Sequence, residues 1–258
     1  MVAIEKIAAQ MYSLRDELAA DPEKTFKTLH EIGYQAVQLD GMRGANPQVI
    51  AKLLKKYNLK VAGMHLHHER FFTDIDGLVQ EALLFGSKIL YDKYIDDDQQ
   101  NDAGYRATRA QLYHVQDALR QLGFTIGLHS PESDYPDLVD GQRVLSYITQ
   151  PQNGLSIVAE PDTYWITAAG IDPVEEIKQF SNRAPVLHLK DYKNGYRPSD
   201  PQDMSHNLVE LGKGDVDLKA IVDWGEHNGV QYYAIEQDFS QIGMFSSMRE
   251  SFEYLSNL

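Results

Sequence analysis

The 258-residue chain contains no cysteine. That absence removes disulfides, thiolate zinc sites and cysteine nucleophiles together, so any metal must be held by nitrogen and oxygen ligands. Long apolar runs are missing too: none approaches the roughly 20 residues that a membrane helix needs. Residues 1–15 lack a basic segment followed by an uninterrupted apolar one, and are expected to open a first strand rather than a leader. These features fit a cytoplasmic location with no membrane partner. Basic residues are scarce, 24 Lys and Arg against 38 Asp and Glu, giving a net charge of −14 that repels phosphate backbones and argues against a nucleic-acid partner. Neither G-x-G-x-x-G after a strand nor G-x-x-x-x-G-K-[ST] occurs, and no Pro/Gly/Ser linker divides the chain.

What is present is a repeating alternation. Hydrophobic residues make up 43% of the chain, enough for a large core, and the length is that of one (β/α) barrel. Strands are expected at residues 3–12, 34–39, 60–64, 87–91, 125–128, 155–159, 186–189 and 232–235. Helices separate them. Asp21-Pro22 and Asn46-Pro47 each read as an N-cap with proline at the first helical position. Asp172 with Glu175 reads as a capping box. A long helix after Asp98 carries Leu112, Val115, Leu119 and Leu122 on one face. Gly33, Gly86, Gly123 and Gly229 sit between helix and strand, where a left-handed turn is needed. The resulting expectation is an α/β fold, a (β/α)8 TIM barrel formed as a single domain over residues 1–258.

The polar residues lie at the strand exits. The run Val186-Leu187-His188-Leu189-Lys190-Asp191 is apolar until it ends in His188, Lys190 and Asp191. Residues 125–128 lead to His129 and Glu132, 155–159 to Glu160 and Asp162, and 232–235 to Glu236. Histidine and carboxylates at the C-terminal tips of separate strands suit a metal site at a barrel mouth.

Five segments, in order along the chain, carry a family likeness: Gln10-Met11-Tyr12-Ser13-Leu14-Arg15-Asp16; Asp162-Thr163-Tyr164-Trp165 with Ala169-Gly170-Ile171-Asp172-Pro173; His188-Leu189-Lys190-Asp191; Gly212-Lys213-Gly214-Asp215; and Ile235-Glu236-Gln237-Asp238. The chain resembles the sugar phosphate isomerase/epimerase family of the xylose isomerase-like TIM barrels. The resemblance implies one divalent ion held after strands five to eight, by residues that fall on Glu132, Asp162, His188 and Glu236, with His129 an alternative to Glu132. One imidazole and three carboxylates would suit Mn²⁺, Mg²⁺, Fe²⁺ or Co²⁺, with Zn²⁺ also admissible.

In such enzymes the metal chelates a carbonyl and its neighbouring hydroxyl and stabilises the enediolate left when the α-proton departs. Glu132 and Glu236 would be the two carboxylates that take and return the proton. The implied activity is a metal-dependent isomerase or epimerase acting on a sugar, sugar phosphate or keto-polyol. A keto-inositol-type dehydratase would use the same site. A zinc apurinic-site endonuclease and a non-catalytic sugar-binding barrel are the readings of other classes. His65, His129, Lys190, Trp165, Tyr12 and Arg197 are the candidate substrate contacts, with Phe71 a further candidate for an apolar wall. Lys190 could equally reach a ligating carboxylate or balance charge within the barrel. A homo-oligomer is compatible with the sequence. Two departures from the family pattern stand out. Gln38 occupies a position where many members have a glutamate, and Trp165 one where epimerases of free ketoses have a histidine.

Overall fold

Alternate residues of the barrel strands feed two separate cores. Ala8, Ala36, Ala62, Tyr91, Val186 and Ala234 meet inside the barrel, whereas Ala9, Val37, Leu187, Leu189 and Ile235 point outward into the larger core beneath the helices. This is the period-two alternation of extended chain, and it sorts each strand into a helix-facing and an axis-facing edge. The computed structural model describes residues 1–129, 137–194, 204 and 206–258. Its barrel strands are β1 (Ile7–Gln10), β2 (Ala36–Asp40), β3 (Lys60–Leu66), β4 (Ile89–Asp92), β5 (Thr125–His129), β6 (Val158–Glu160), β7 (Val186–Leu189) and β8 (Tyr232–Ile235).

All are parallel, in the order β6-β5-β4-β3-β2-β1-β8-β7. Between β6 and β7 the ladder is reduced to a parallel bridge, Asp162 with His188, in which the His188 N–H donates to the Pro161 carbonyl at 3.1 Å. The nearly closed barrel is therefore joined beside the expected metal ligands. No described helix is long and apolar enough to cross a membrane.

The interior is narrow because small residues line it, and Tyr91 fills the space they leave. A methyl group at Gly127 would lie 2.3 Å from the Tyr91 ring and 2.9 Å from Val158, so glycine is required there by the close approach.

The local signals act largely as expected. Asp21 accepts from the Lys24 N–H at 2.9 Å and Asn46 from the Gln48 N–H at 2.8 Å, each with proline in the first turn. All four turn glycines have positive φ.

Three expectations are corrected. The first strand begins at Ile7, level with Tyr233 of its neighbour, and residues 4–6 form a 3₁₀ turn instead. The long helix stops at Leu119, and the tighter 3₁₀ turn Arg120–Leu122 rotates Leu122 out to 57% exposure. Asp172 caps the Val174 N–H at 2.8 Å, but Glu175 pairs with Lys178 rather than reaching back.

Candidate metal centre

The axis-facing edge turns polar as each strand nears its C-terminal end. Ala8 is followed by Gln10, Ala36 by Gln38 and Asp40, Gly127 by His129, Val186 by His188 and Lys190, and Ala234 by Glu236 and Asp238. Two residues beyond Glu160, Asp162 continues the same edge past β6. Asp40, His129, Lys190, Glu236 and Asp238 among these groups line a cavity of about 760 Å³ at the barrel mouth, together with Tyr12, Lys93 and Trp165; the others lie buried around them.

Four of them converge. One ligand atom from each of His129, Asp162, His188 and Glu236 lies within 4.8 Å of all the others, and all four residues are buried. Asp162 Oδ2 stands 3.8 Å from His129 Nε2 and 3.7 Å from His188 Nδ1, while His188 Nδ1 lies 2.7 Å from Glu236 Oε2. Donors bound to one tetrahedral ion at about 2.1 Å are separated by about 3.4 Å, so the group needs only small shifts to share an ion.

One of the atoms has no other occupation: His129 Nε2 is buried without a hydrogen-bond partner among the described residues, while Asp162 Oδ2 has the Lys190 ammonium 3.1 Å away. The His129 ring is oriented for ligation: Nδ1–H donates to the Lys93 carbonyl at 3.0 Å, leaving the Nε2 lone pair facing the group. Burial depresses the His129 pKa, which keeps the ring neutral as a ligand must be. Asp162 divides its two oxygens. Oδ1 caps the short helix Thr163–Ala168, accepting from the N–H groups of Tyr164 at 2.9 Å and Trp165 at 3.3 Å. Oδ2 is left for the centre.

The remaining charges are balanced internally. Lys190 Nζ lies 3.1 Å from Asp162 Oδ2, 3.0 Å from Glu236 Oε2 and 2.8 Å from Asp238 Oδ2. Burial alone would lower the Lys190 pKa, but Asp162, Asp238 and Glu236 raise it well above the usual lysine range. Burial likewise opposes ionisation of Glu236, yet Lys190 and His188 hold it at about 2. Asp238 behaves differently: burial outweighs Lys190 and pushes it up to about 6. Burial would lower His188, whereas Glu160 and Glu236 raise it well above the ordinary range.

The other expected site residues fall unevenly. Tyr12 lines the cavity with the guanidinium groups of Arg15 and Arg43 over its ring at 4.6 and 5.6 Å. Trp165 lines it as well and stacks on the Lys190 ammonium at 5.3 Å. His65 borders the cavity, but its Nε2 is taken up by Glu160 at 2.5 Å. Phe71, the further candidate for an apolar wall, is wholly buried in the outer core. Glu132 and Arg197 lie outside the described residues.

Several participants carried no signal that singled them out as site residues. Asp40 joins Arg43, Lys93 and His65 at the rim. His68 is buried and paired with Asp92 at 2.6 Å. Asp191 serves the fold: its carboxylate accepts the N–H groups of Tyr192, Gly212, Gly214 and Val216 at 2.9, 2.9, 2.9 and 3.2 Å, so the His-Leu-Lys-Asp and Gly-Lys-Gly-Asp segments are two halves of one tie.

A (β/α)8 barrel with a buried His/Asp/Glu group at the C-terminal mouth, able to hold a metal ion, is therefore the class that fold and site define. No family model and no curated protein matches the chain. Solved structures do. A sugar phosphate isomerase/epimerase from Parabacteroides distasonis superposes with a TM-score of 0.80 at 17% identity, covering 98% of this chain and 98% of that one. An IOLI protein with a bound zinc atom gives 0.75 at 13% identity, covering 98% and 97%. An AP endonuclease, family 2, from Brucella melitensis gives 0.73 at 14% identity, covering 97% and 99%. The fold is thus shared with the family that the sequence motifs resemble, and also with proteins named for different chemistry.

Proposed function

We propose that the protein is a metal-dependent isomerase or epimerase acting on a small sugar or keto-polyol by removing a proton α to a carbonyl. The observation that carries this reading is the convergence of four buried ligand atoms, from His129, Asp162, His188 and Glu236, at the base of a cavity of about 760 Å³, roomy enough to admit a monosaccharide. With two imidazoles and two carboxylates, this donor set suits Zn²⁺, Co²⁺, Fe²⁺ or Mn²⁺ better than Mg²⁺. A divalent ion held there would polarise a carbonyl and its neighbouring hydroxyl and acidify the α-proton.

The chain's own groups supply the rest. Lys190 keeps Asp162 and Glu236 ionised, its ammonium at the cavity floor being shared among Asp162, Glu236 and Asp238. Trp165 and Tyr12 offer flat apolar surface for the substrate's carbon face. Glu236, just beyond β8, and Glu132, three residues after the end of β5 in the sequence, form the proposed proton-transfer pair. The acidic surface, net charge −14, disfavours a nucleic-acid substrate.

The test is incubation of the Mn²⁺- or Co²⁺-supplemented protein with ketoses, their phosphates and keto-inositols in D₂O, followed by mass spectrometry. Deuterium at the α-carbon of at least one substrate, lost in Glu236→Gln, is the expected result. A metal-loaded protein that binds a sugar without exchanging any proton would instead be a binding barrel.

A further inference from the structure

Beneath the metal-facing groups lies a second buried layer whose hydrogen bonds have a fixed sense. We propose that Gln38 and Glu160 form a positioning relay that sets the tautomer of His188, leaving Nδ1 as its metal-binding atom; the inference rests on the metal reading above. Gln38, Glu160 and His188 are all fully buried inside the barrel. A glutamine side chain can sit either way round, and here two independent neighbours decide it.

The first is Glu160. Its Oε1 lies 2.5 Å from Gln38 Nε2, and a carboxylate can only accept, so the amide's NH₂ end faces β6 and its carbonyl faces away. The second is Gln10. The Tyr12 backbone N–H donates to Gln10 Oε1 at 3.1 Å, which turns the Gln10 NH₂ toward Gln38 Oε1 at 3.3 Å. Gln38 Oε1 is therefore an acceptor on both counts. The His188 Nε2 atom, 2.7 Å from it, must carry a proton. The other ring nitrogen is then free to face Asp162 and Glu236.

Glu160 is fixed from its other side as well, since His65 Nε2 approaches its second oxygen at 2.5 Å. Glu160 Oε2 also lies 3.4 Å from His188 Nε2, so its charge supports the protonated Nε2 directly as well as through the amide, which remains the nearer acceptor at 2.7 Å. A carboxylate at position 38 would place two buried anions in contact, which explains why an amide occupies this position in a chain that carries Glu160. Partners of this kind change metal affinity by about 10–100-fold when removed.

The experiment is titration of metal-free protein with Co²⁺, followed by visible absorption and chelator competition, on wild type, Gln38→Leu, Glu160→Gln and the exchange variant Gln38→Glu/Glu160→Gln. Circular dichroism controls for folding. The relay predicts about 10–100-fold weaker binding in both single variants. In the exchange variant the new carboxylate accepts directly from His188 Nε2–H and the new amide spans to His65, so affinity returns to within a few-fold of wild type. Long-range ¹H–¹⁵N spectra of the Zn²⁺-loaded wild type and exchange variant should show His188 protonated at Nε2. Single variants that bind Co²⁺ like wild type, or an exchange variant no tighter than Glu160→Gln, would overturn the relay while leaving the metal site standing. A wild type that takes up no Co²⁺ would overturn both.

Discussion

Replacing Asp191 by asparagine should destabilise the protein without acting on the metal group directly. The carboxylate gathers four backbone N–H groups, two on each oxygen. Asparagine offers one acceptor oxygen, so in either orientation two N–H groups lose their partner and face an NH₂ instead. Hydrogen bonds to a charged acceptor contribute about 1.5–3 kcal/mol each, so roughly 3–6 kcal/mol is at stake. Burial holds the Asp191 pKa above its usual value, so removing the charge returns part of that. A net loss of about 2–4 kcal/mol is predicted, or roughly 5–15 °C in Tm for a chain of this size. Gly214→Ala should act through the same tie, since its methyl group would lie 2.2 Å from Asp191 Oδ1 and 2.7 Å from the Tyr192 carbonyl. Urea and thermal unfolding of the metal-free variants measure both. An Asp191→Asn protein as stable as wild type, or one equally stable but unable to bind metal, would refute the assignment of Asp191 to the fold.

Two further predictions concern the barrel interior and its rim. Gly127→Ala forces a methyl group into the Tyr91 ring and Val158, and should cost about 3 kcal/mol or more, read as a lower urea midpoint; a variant within 0.5 kcal/mol of wild type would show the interior to be loose. Burial would raise the Asp40 pKa, but His65, Lys93 and Arg43 together hold it below its unfolded value. A depressed folded pKa contributes stability that is present above about pH 4 and lost as pH falls below it. Asp40→Asn should therefore be less stable than wild type at pH 7, with the two curves converging toward pH 3; parallel curves would contradict the assignment.

The architecture was legible in the sequence because each barrel strand ends its apolar run in polar residues and most intervening helices carry their own caps. The implied ligand Asp162 turns out to have a structural duty as well: Oδ1 caps a helix, while Oδ2 faces His129, His188 and Glu236. His129 and Glu132 could not be separated from sequence because both follow the same strand; the structure turns His129 Nε2 into the group. The Gln38–Glu160 pair was hidden for a different reason. Their relation is a contact across 122 positions, and a glutamine met alone reads as a lost charge rather than as an oriented dipole. Tyr12 and Trp165 reach the cavity while Phe71 takes the core position more usual for a scattered aromatic, a split that aromatic character alone does not report. The same motif that marks His188 made Asp191 look like part of the site, although its carboxylate turns to a loop more than twenty residues on.

The account depends most directly on one ion being shared by four side chains. Metal content per chain, measured by inductively coupled plasma mass spectrometry after reconstitution with Zn²⁺ or Co²⁺ and removal of excess, tests this in wild type, His129→Ala, Asp162→Asn, His188→Ala and Glu236→Gln. The prediction is one ion per wild-type chain and well under half in each variant that remains folded. Retention of a full ion by folded His188→Ala and Glu236→Gln proteins would contradict it.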